Sequence, residues 1–231
     1  MRFGAPHRHF RVTDSTNARA RELAEAGAPG GTVVTAAEQT AGRGRQGRSW
    51  VAPAGKALLY SAILRPLNER HLMLPLAVPL AVCEAAEELE TGIECRIKWP
   101  NDVWVDGRKL AGVLIEAKPQ DGWAVIGVGL NLALEPPDFP PELRETATSL
   151  AGASGEEARR SLDRRLDRWV DADADSILAG WRERDALRGR EVAWEDGSGI
   201  ADGVDDRGRL LVTLAGGGPA VLGAGEVHLR L

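Results

Sequence analysis

The chain has 231 residues, 43% hydrophobic and 27% charged, and its 29 lysines and arginines against 34 aspartates and glutamates give a formal net charge of −5. This composition belongs to a folded globular protein, long enough for one large domain and a small one, and excludes a disordered chain. The acidic balance excludes a surface built to coat nucleic acid or an anionic membrane, so any anion is held at a local site.

Cys83 and Cys95 have no metal-ligand spacing and no histidine close by in sequence, and read as reduced core residues. Residues 1–9 hold no apolar signal core. The longest apolar run, 72–83, is too short to span a bilayer and contains Pro75 and Pro79, which implies a cytoplasmic protein.

In chain order, a short strand candidate at 9–12 leads to Asp14-Ser15-Thr16-Asn17, residues of helix-capping type, and then to Ala20, Leu23, Ala24 and Gly27 at helical spacing. The four polar residues either cap this helix or face a polar ligand from its positive end. Gly27 ends the helix, Gly30-Gly31 turns the chain, and the β-branched run 32–37 reads as a strand. Residues 38–50 follow as Glu-Gln-Thr-Ala-Gly-Arg-Gly-Arg-Gln-Gly-Arg-Ser-Trp, which sets Gly42, Gly44 and Gly47 among Arg43, Arg45 and Arg48. Glycine lets backbone N–H groups approach a ligand, and each guanidinium adds a fixed fork of donors for phosphate or carboxylate. The segment reads as an anion-binding loop that closes as a lid over a water-sensitive intermediate, or as a solvated basic loop of the arginine-glycine kind.

A strand at 57–64 comes next, then a buried helix over 72–89 that begins near Pro75 or Pro79 and ends at Gly92, then a strand at 95–99. This strand runs into Lys98-Trp99-Pro100-Asn101-Asp102, where proline stops regular pairing and leaves a lysine, an amide and a carboxylate together. Residues 103–105, an Asp106-Gly107 turn and residues 109–116 form a hairpin, and the run 123–134 gives the next strand. Lys98 and Lys109 can reach one end of the sheet, Asp102 offers a hard oxygen for Mg²⁺ and Asn101 a polar contact, although a lone lysine is ordinarily a solvated charge. Gly127-x-Gly129-x-Asn131 lacks the third glycine and the βαβ setting of a dinucleotide fingerprint. Its glycines mark places where a ligand or a neighbouring backbone lies against the sheet.

Beyond the proline-rich loop 136–141, one charged helix is expected from 155 to about 181, with Leu162, Leu166, Trp169, Val170, Ile177 and Trp181 as its apolar stripe. From 189 onward, short strand candidates at 191–195, 199–204, 210–214, 220–222 and 226–231 alternate with Asp-Gly and glycine-rich turns. They imply a small β-barrel packed on the main domain. The expected class is α+β: a mixed, mostly antiparallel sheet with helices over 1–186, and the small β-domain over 187–231.

Taken in order, Asp14-Ser15-Thr16-Asn17, Gln39 with the 42–48 loop and Trp50, Lys98-Trp99-Pro100-Asn101-Asp102, Lys109-Leu110-Ala111-Gly112 and Gly127-x-Gly129-x-Asn131 resemble the biotin–protein ligase family over residues 14 to about 150. The resemblance implies a class II synthetase-like catalytic domain with an SH3-like C-terminal barrel. It also implies the short form that lacks the winged-helix DNA-binding domain of the bifunctional members, and therefore no repressor role. The implied reaction has two steps: biotin and ATP, with Mg²⁺, give biotinyl-5′-AMP and pyrophosphate, and a lysine of the biotin carboxyl carrier domain of acetyl-CoA carboxylase then takes the biotin and releases AMP.

Carried over position by position, biotin would meet Ser15, Thr16, Asn17, Gln39, Arg43, Gly44, Arg45, Lys109 and Gly112, covered by Trp50. ATP would meet Arg45, Arg48, Lys98, Asn101 and Asn131, Asp102 would hold Mg²⁺, and Lys109, Arg43, Lys98 and Asp102 would form the catalytic group. Both reactants of the first step are anions, so Lys109 and Arg43 are expected as positioning charges and not as nucleophiles. Nucleic acid and membrane are not expected partners, and a homodimer is left open. A lipoate–protein ligase, which shares the fold and the acyl-adenylate chemistry, and a non-enzymatic biotin or nucleotide sensor stay as alternatives. The glycine-arginine loop and the Lys-Trp-Pro-Asn-Asp segment favour biotin, and the retention of Lys98, Lys109, Arg43 and Asp102 together favours catalysis over sensing.

Overall fold

The computed structural model describes residues 2–223, 225 and 227–229. Its main sheet contains β1 (His7–Thr13), β2 (Val33–Gln39), β3 (Ala57–Leu64), β4 (Cys95–Lys98), β5 (Asp102–Val105), β6 (Arg108–Lys118) and β7 (Trp123–Asn131). The strand order is β1-β2-β3-β7-β6-β5-β4, with β1 parallel to β2 and the other ladders antiparallel. This is the mixed, mostly antiparallel sheet that the strand spacing predicts.

Helix α1 (Thr16–Glu25) covers one face of this sheet, and α2 (Leu74–Leu89), α3 (Gly155–Trp169) and α4 (Ala174–Arg184) cover the other. Period-two alternation along β3 separates the two faces. Leu58, Tyr60, Ala62 and Leu64 join the core under the three later helices, whereas Ile63 packs with Ala20 and Ala24 of α1. With only 10 residues, α1 roofs one end of its face and leaves the rest of that face open for a site. It ends where Gly27, at φ +87, lets Ala28 N–H reach back 2.9 Å to the carbonyl of Leu23.

Helix α2 is apolar around most of its circumference and correspondingly buried, and side chains such as Leu76 and Leu80 contribute on the order of 2 kcal/mol each. Pro79 inside it removes the N–H that would meet the carbonyl of Pro75, a loss of roughly 3 kcal/mol that this burial must offset.

The single charged helix expected over 155–181 is two helices. Asp173 accepts from Ser176 N–H at 2.8 Å and starts α4, a local capping signal that an apolar stripe continuing across the break conceals. Tyr60 donates to Asp163 of α3 at 2.8 Å while Arg159 pairs with the other carboxylate oxygen, which ties α3 to the centre of the sheet. Burial nevertheless holds the Asp163 carboxyl above its usual range.

A second sheet contains β8 (Glu191–Trp194), β9 (Gly197–Val204), β10 (Leu210–Leu214), β11 (Pro219–Leu222) and β12 (His228–Leu229), in the order β11-β10-β9-β8-β12. All its ladders are antiparallel, and no ladder joins β11 to β12 among the described residues. The strand expected at 226–231 is seen over 228–229; the remainder falls partly outside the described residues. Val192, Ala201, Leu210 and Val212 belong to the same apolar cluster as α2, so the two sheets share one core. No described helix is long and apolar enough to cross a membrane.

His71 lies buried just before α2, where its Nδ1 accepts the backbone N–H of Asn68 at 3.1 Å. Burial, reinforced by Arg70 and opposed by Asp171, holds its pKa below 6.5. The unfolded chain therefore takes up the extra proton first as the pH drops, and stability is lost from pH 6.5 downward. Melting temperatures followed from about pH 6.5 to 5 should fall less steeply in His71→Gln, which cannot take a charge. An equal slope would place the acid sensitivity elsewhere.

Candidate active site

The uncovered part of the α1 face holds a cavity of about 340 Å³, a size that suits a small organic ligand. Strand register builds its floor. Leu59, Gly129, Gly112, Asp102 and Lys98 form one row across β3, β7, β6, β5 and β4, and Ser61, Gly127 and Leu114 form the neighbouring row. Three glycines in these rows, Gly112, Gly127 and Gly129, leave bare backbone at the centre. A Cβ on Gly127 would stand 2.2 Å from Asn17 Oδ1 and one on Gly129 2.3 Å from the Trp50 ring, so the side chains of Asn17 and Trp50 lie directly on β7. The sequence suggests a ligand or neighbouring backbone over these glycines, and the structure puts two side chains there.

The polar end is set by the start of α1. Ser15 is at the N-cap position but makes no side-chain capping bond, so capping does not account for its hydroxyl, which lines the cavity. Thr16 N–H donates to Gln39 Oε1 at 2.6 Å, and the Thr16 hydroxyl lies 3.0 Å from the same atom. Ser61, buried on β3, has its Oγ 2.8 Å from Thr16 Oγ1 and 2.6 Å from Asn17 Oδ1. The two hydroxyl protons of Thr16 and Ser61 are shared among these three oxygen–oxygen contacts, which links Gln39, Thr16, Ser61 and Asn17 in one polar cluster.

The glycine-arginine loop folds back as a short hairpin. Gly44 N–H donates to the Arg48 carbonyl at 2.7 Å, Trp50 N–H to the Gly42 carbonyl at 3.0 Å, and Gln46 takes φ +53 at the tip. Trp50 thus comes to rest over Gly112 and Gly129, its indole Nε1 buried and without a hydrogen-bond partner among the described residues. Lys109 Nζ is 2.7 Å from Asp102 Oδ1 and 5.8 Å from the Trp50 ring centroid, a placement that keeps its charge in the cavity.

Each of Ser15, Thr16, Asn17, Gln39, Arg43, Gly44, Arg45, Arg48, Trp50, Lys98, Asn101, Asp102, Lys109, Gly112 and Asn131 lines this one cavity. Lys98, Asp102 and Lys109 come together, and Arg43 does not join them. The Arg43 guanidinium pairs with Glu116 at 3.1 Å, and Glu116 faces Val125, four residues along β7 from Gly129, roughly 13 Å at the rise of a strand. The amide nitrogens of Asn101 and Asn131 donate to the Val113 and Thr148 carbonyls, each at 2.8 Å, so these side chains brace the walls as well as face the cavity.

Sequence reasoning misses the apolar wall. Phe139 and Ala147 cluster with Leu59 and Leu134, Trp50 packs on them, and Lys56 holds Asp138 at 2.6 Å to pin the loop. Phe139 inside the proline-rich stretch and Leu143 just beyond it are the available signal. The described lining carries three arginines and two lysines against the single carboxylate of Asp102. No group of three or more His, Cys, Asp or Glu side chains that could hold a metal occurs among the described residues. An ion on Asp102 would therefore need further oxygens from a ligand.

The cavity is thus an apolar slot with a polar network at one end and concentrated positive charge further along. The model of the Biotin/lipoate A/B protein ligase family matches residues 9–132, and the chain belongs to that family. The chain is 38% identical to the biotin–acetyl-CoA-carboxylase ligase of Mycobacterium tuberculosis, over 94% of this chain and 87% of that one. It is 42% identical over 155 residues to the bifunctional ligase/repressor BirA of Bacillus subtilis, a match covering 65% of this chain and about half, 47%, of BirA. The biotin protein ligase of Aquifex aeolicus, solved in complex with biotin and ATP, superposes with a TM-score of 0.81 at 29% identity, over 98% of this chain and 99% of the other.

Gly129→Ala should cost about 1–3 kcal/mol in urea unfolding, because its methyl group would displace the Trp50 indole. In a Trp50→Ala background the same substitution should be nearly neutral, a coupling of order 1 kcal/mol or more. Simple additivity would mean that the ring does not rest on Gly129.

Proposed function

We propose that this chain is a biotin–protein ligase that forms biotinyl-5′-AMP from biotin and ATP and passes the biotin to a lysine of a biotin carboxyl carrier domain, that of acetyl-CoA carboxylase. The observation that carries the reading is the sequence of environments along one slot: the network of Thr16, Asn17, Gln39 and Ser61, then bare glycine floor beside an apolar wall, then the row holding Asp102 and Lys98 with Lys109. Biotin has the same order, with a ureido head, a thiophane ring and alkyl chain, and a terminal carboxylate. Lipoate ends in a dithiolane, which has no hydrogen-bonding groups to offer this polar network.

In the first step the biotin carboxylate attacks the α-phosphorus of ATP and pyrophosphate leaves. Lys109, held by Asp102, bridges the two anions and stabilises charge on the transferring phosphoryl group. Lys98 and Asn101 beside it, with Arg45, Arg48 and Asn131, receive the nucleotide. Mg²⁺ that arrives on ATP suits the oxygen of Asp102 left over from the Lys109 pair, and it supplies neutralising charge when bound. Ser15, Gln39, Gly44 and Gly112 line the biotin side, and the 42–50 loop shields the mixed anhydride from water. In the second step the carrier lysine attacks the acyl carbon and AMP departs.

We read residues 1–186 as the catalytic domain and the terminal sheet, 187–231, as an SH3-like accessory module. Gly225 of that module lines the cavity, which supports a share in nucleotide or carrier contact. Its ATP and carrier requirements fit a cytoplasmic setting.

Biotin should support exchange of labelled pyrophosphate into ATP, and lipoate should not. Lys109→Gln should lower this exchange about 100-fold or more at unchanged fold, as expected for loss of a charge that stabilises the transition state. Exchange driven by lipoate would move the assignment to the other branch of the family. Nucleotide-independent biotin binding without exchange would leave a sensor.

A further inference from the structure

Glu116 lies outside every motif so far assigned a role, yet it joins the floor of the cavity to its lid. On β6 the alternation places Gly112, Leu114 and Glu116 on one face, and Glu116 falls in the row of Ile63 and Val125, one step past the polar row of Ser61 and Gly127. Its Oε2 accepts from Asn17 Nδ2 at 2.8 Å and from Arg43 at 3.1 Å. Asn17 can lie across to it only because Gly127 has no side chain. Behind Asn17 stand the Ser61 and Thr16 hydroxyls, so a continuous chain of hydrogen bonds runs from α1 through β3 and β6 to the loop.

We propose that Glu116 is a positioning residue that latches the lid, coupling the 42–50 loop through Arg43 to the Asn17 network at the polar end of the slot. This rests on the ligase reading for its consequence, retention of the adenylate, while the latch itself is a property of the free protein. A ligand head group that orders Thr16, Asn17 and Ser61 fixes the geometry in which Glu116 meets Arg43. Occupancy of the slot and closure of the loop thereby strengthen each other. The pair is partly exposed, at 39% for Arg43 and 28% for Glu116, so the expected effect is a severalfold change in loop opening and not an all-or-none switch.

Glu116→Gln keeps an acceptor for Asn17 and removes the charge that holds Arg43. Two readouts on the full chain test it. Trypsin cuts after Arg43, Arg45 and Arg48, and the ligand-free variant should be cleaved in this loop roughly fivefold faster than the parent. Biotinyl-adenylate formed from labelled biotin and ATP, then chased with unlabelled biotin, should leave the variant faster by a similar factor. In adenylate retention, where the loss of a trypsin site does not enter, Arg43→Ala should match it, the double variant should add nothing, and Glu116→Asp should restore part of the retention. The melting temperature should stay within about 2 °C of the parent, where a merely structural role would lower it with the other readouts. Cleavage and retention both unchanged, or losses that add in the double variant, would overturn the latch. Absence of any adenylate from the parent would overturn the ligase reading instead, with the cleavage comparison still deciding the latch.

Discussion

The structure depends on an absence of side chains at the middle of its central ladder. Where β7 carries Gly127 and Gly129, two side chains from distant parts of the sequence descend onto bare backbone: Asn17 from the first helix and Trp50 from the far side of the glycine-arginine loop. One fixes the polar end of the cavity and the other covers its middle. A sheet with ordinary residues at these positions would still pair, but both groups would be lifted away and the slot would lose its depth. The short first helix completes the arrangement, since a longer one would roof the face that the cavity occupies.

Charge is distributed with equal economy. Lys109 has a fixed counterion in Asp102 and an aromatic neighbour in Trp50, so it keeps its position before any ligand arrives. Arg43 has its own counterion in Glu116, a separate one at the opposite end. The cavity therefore needs little reorganisation to receive a second anion next to a first, which is the main cost in joining two like-charged molecules.

Much of this was legible in the sequence, because glycine, proline and charged residues leave sharp local signals. The strand over 57–64 and the hairpin turn at Asp106-Gly107 lie where a strand-like apolar run and turn chemistry put them. All the residues picked out for the site line one cavity. Distances across the fold were not legible. Arg43 and Lys109 look equivalent as cations in loop and strand, and only the register of β6 against β7 separates them. The wall formed by Phe139 and Ala147 was hidden in a loop without periodicity, and Ser61 looked like one small residue in an apolar strand. The break between α3 and α4 escaped because the apolar spacing happens to continue through Asp173.

The terminal sheet is fastened to the rest at a telling point. Trp99 Nε1 donates to the Gly208 carbonyl at 3.0 Å, Leu76 of α2 lies beneath Gly208, and the interior of that sheet continues into the main core. Among the described residues the terminal sheet has no apolar cluster of its own: Val192, Ala201, Leu210 and Val212 belong to the core that α2 and the main sheet build, so its packing depends on the main domain. The turn that carries Asn101 and Asp102 is thereby anchored from both sides, and its rigidity is borrowed from the whole molecule.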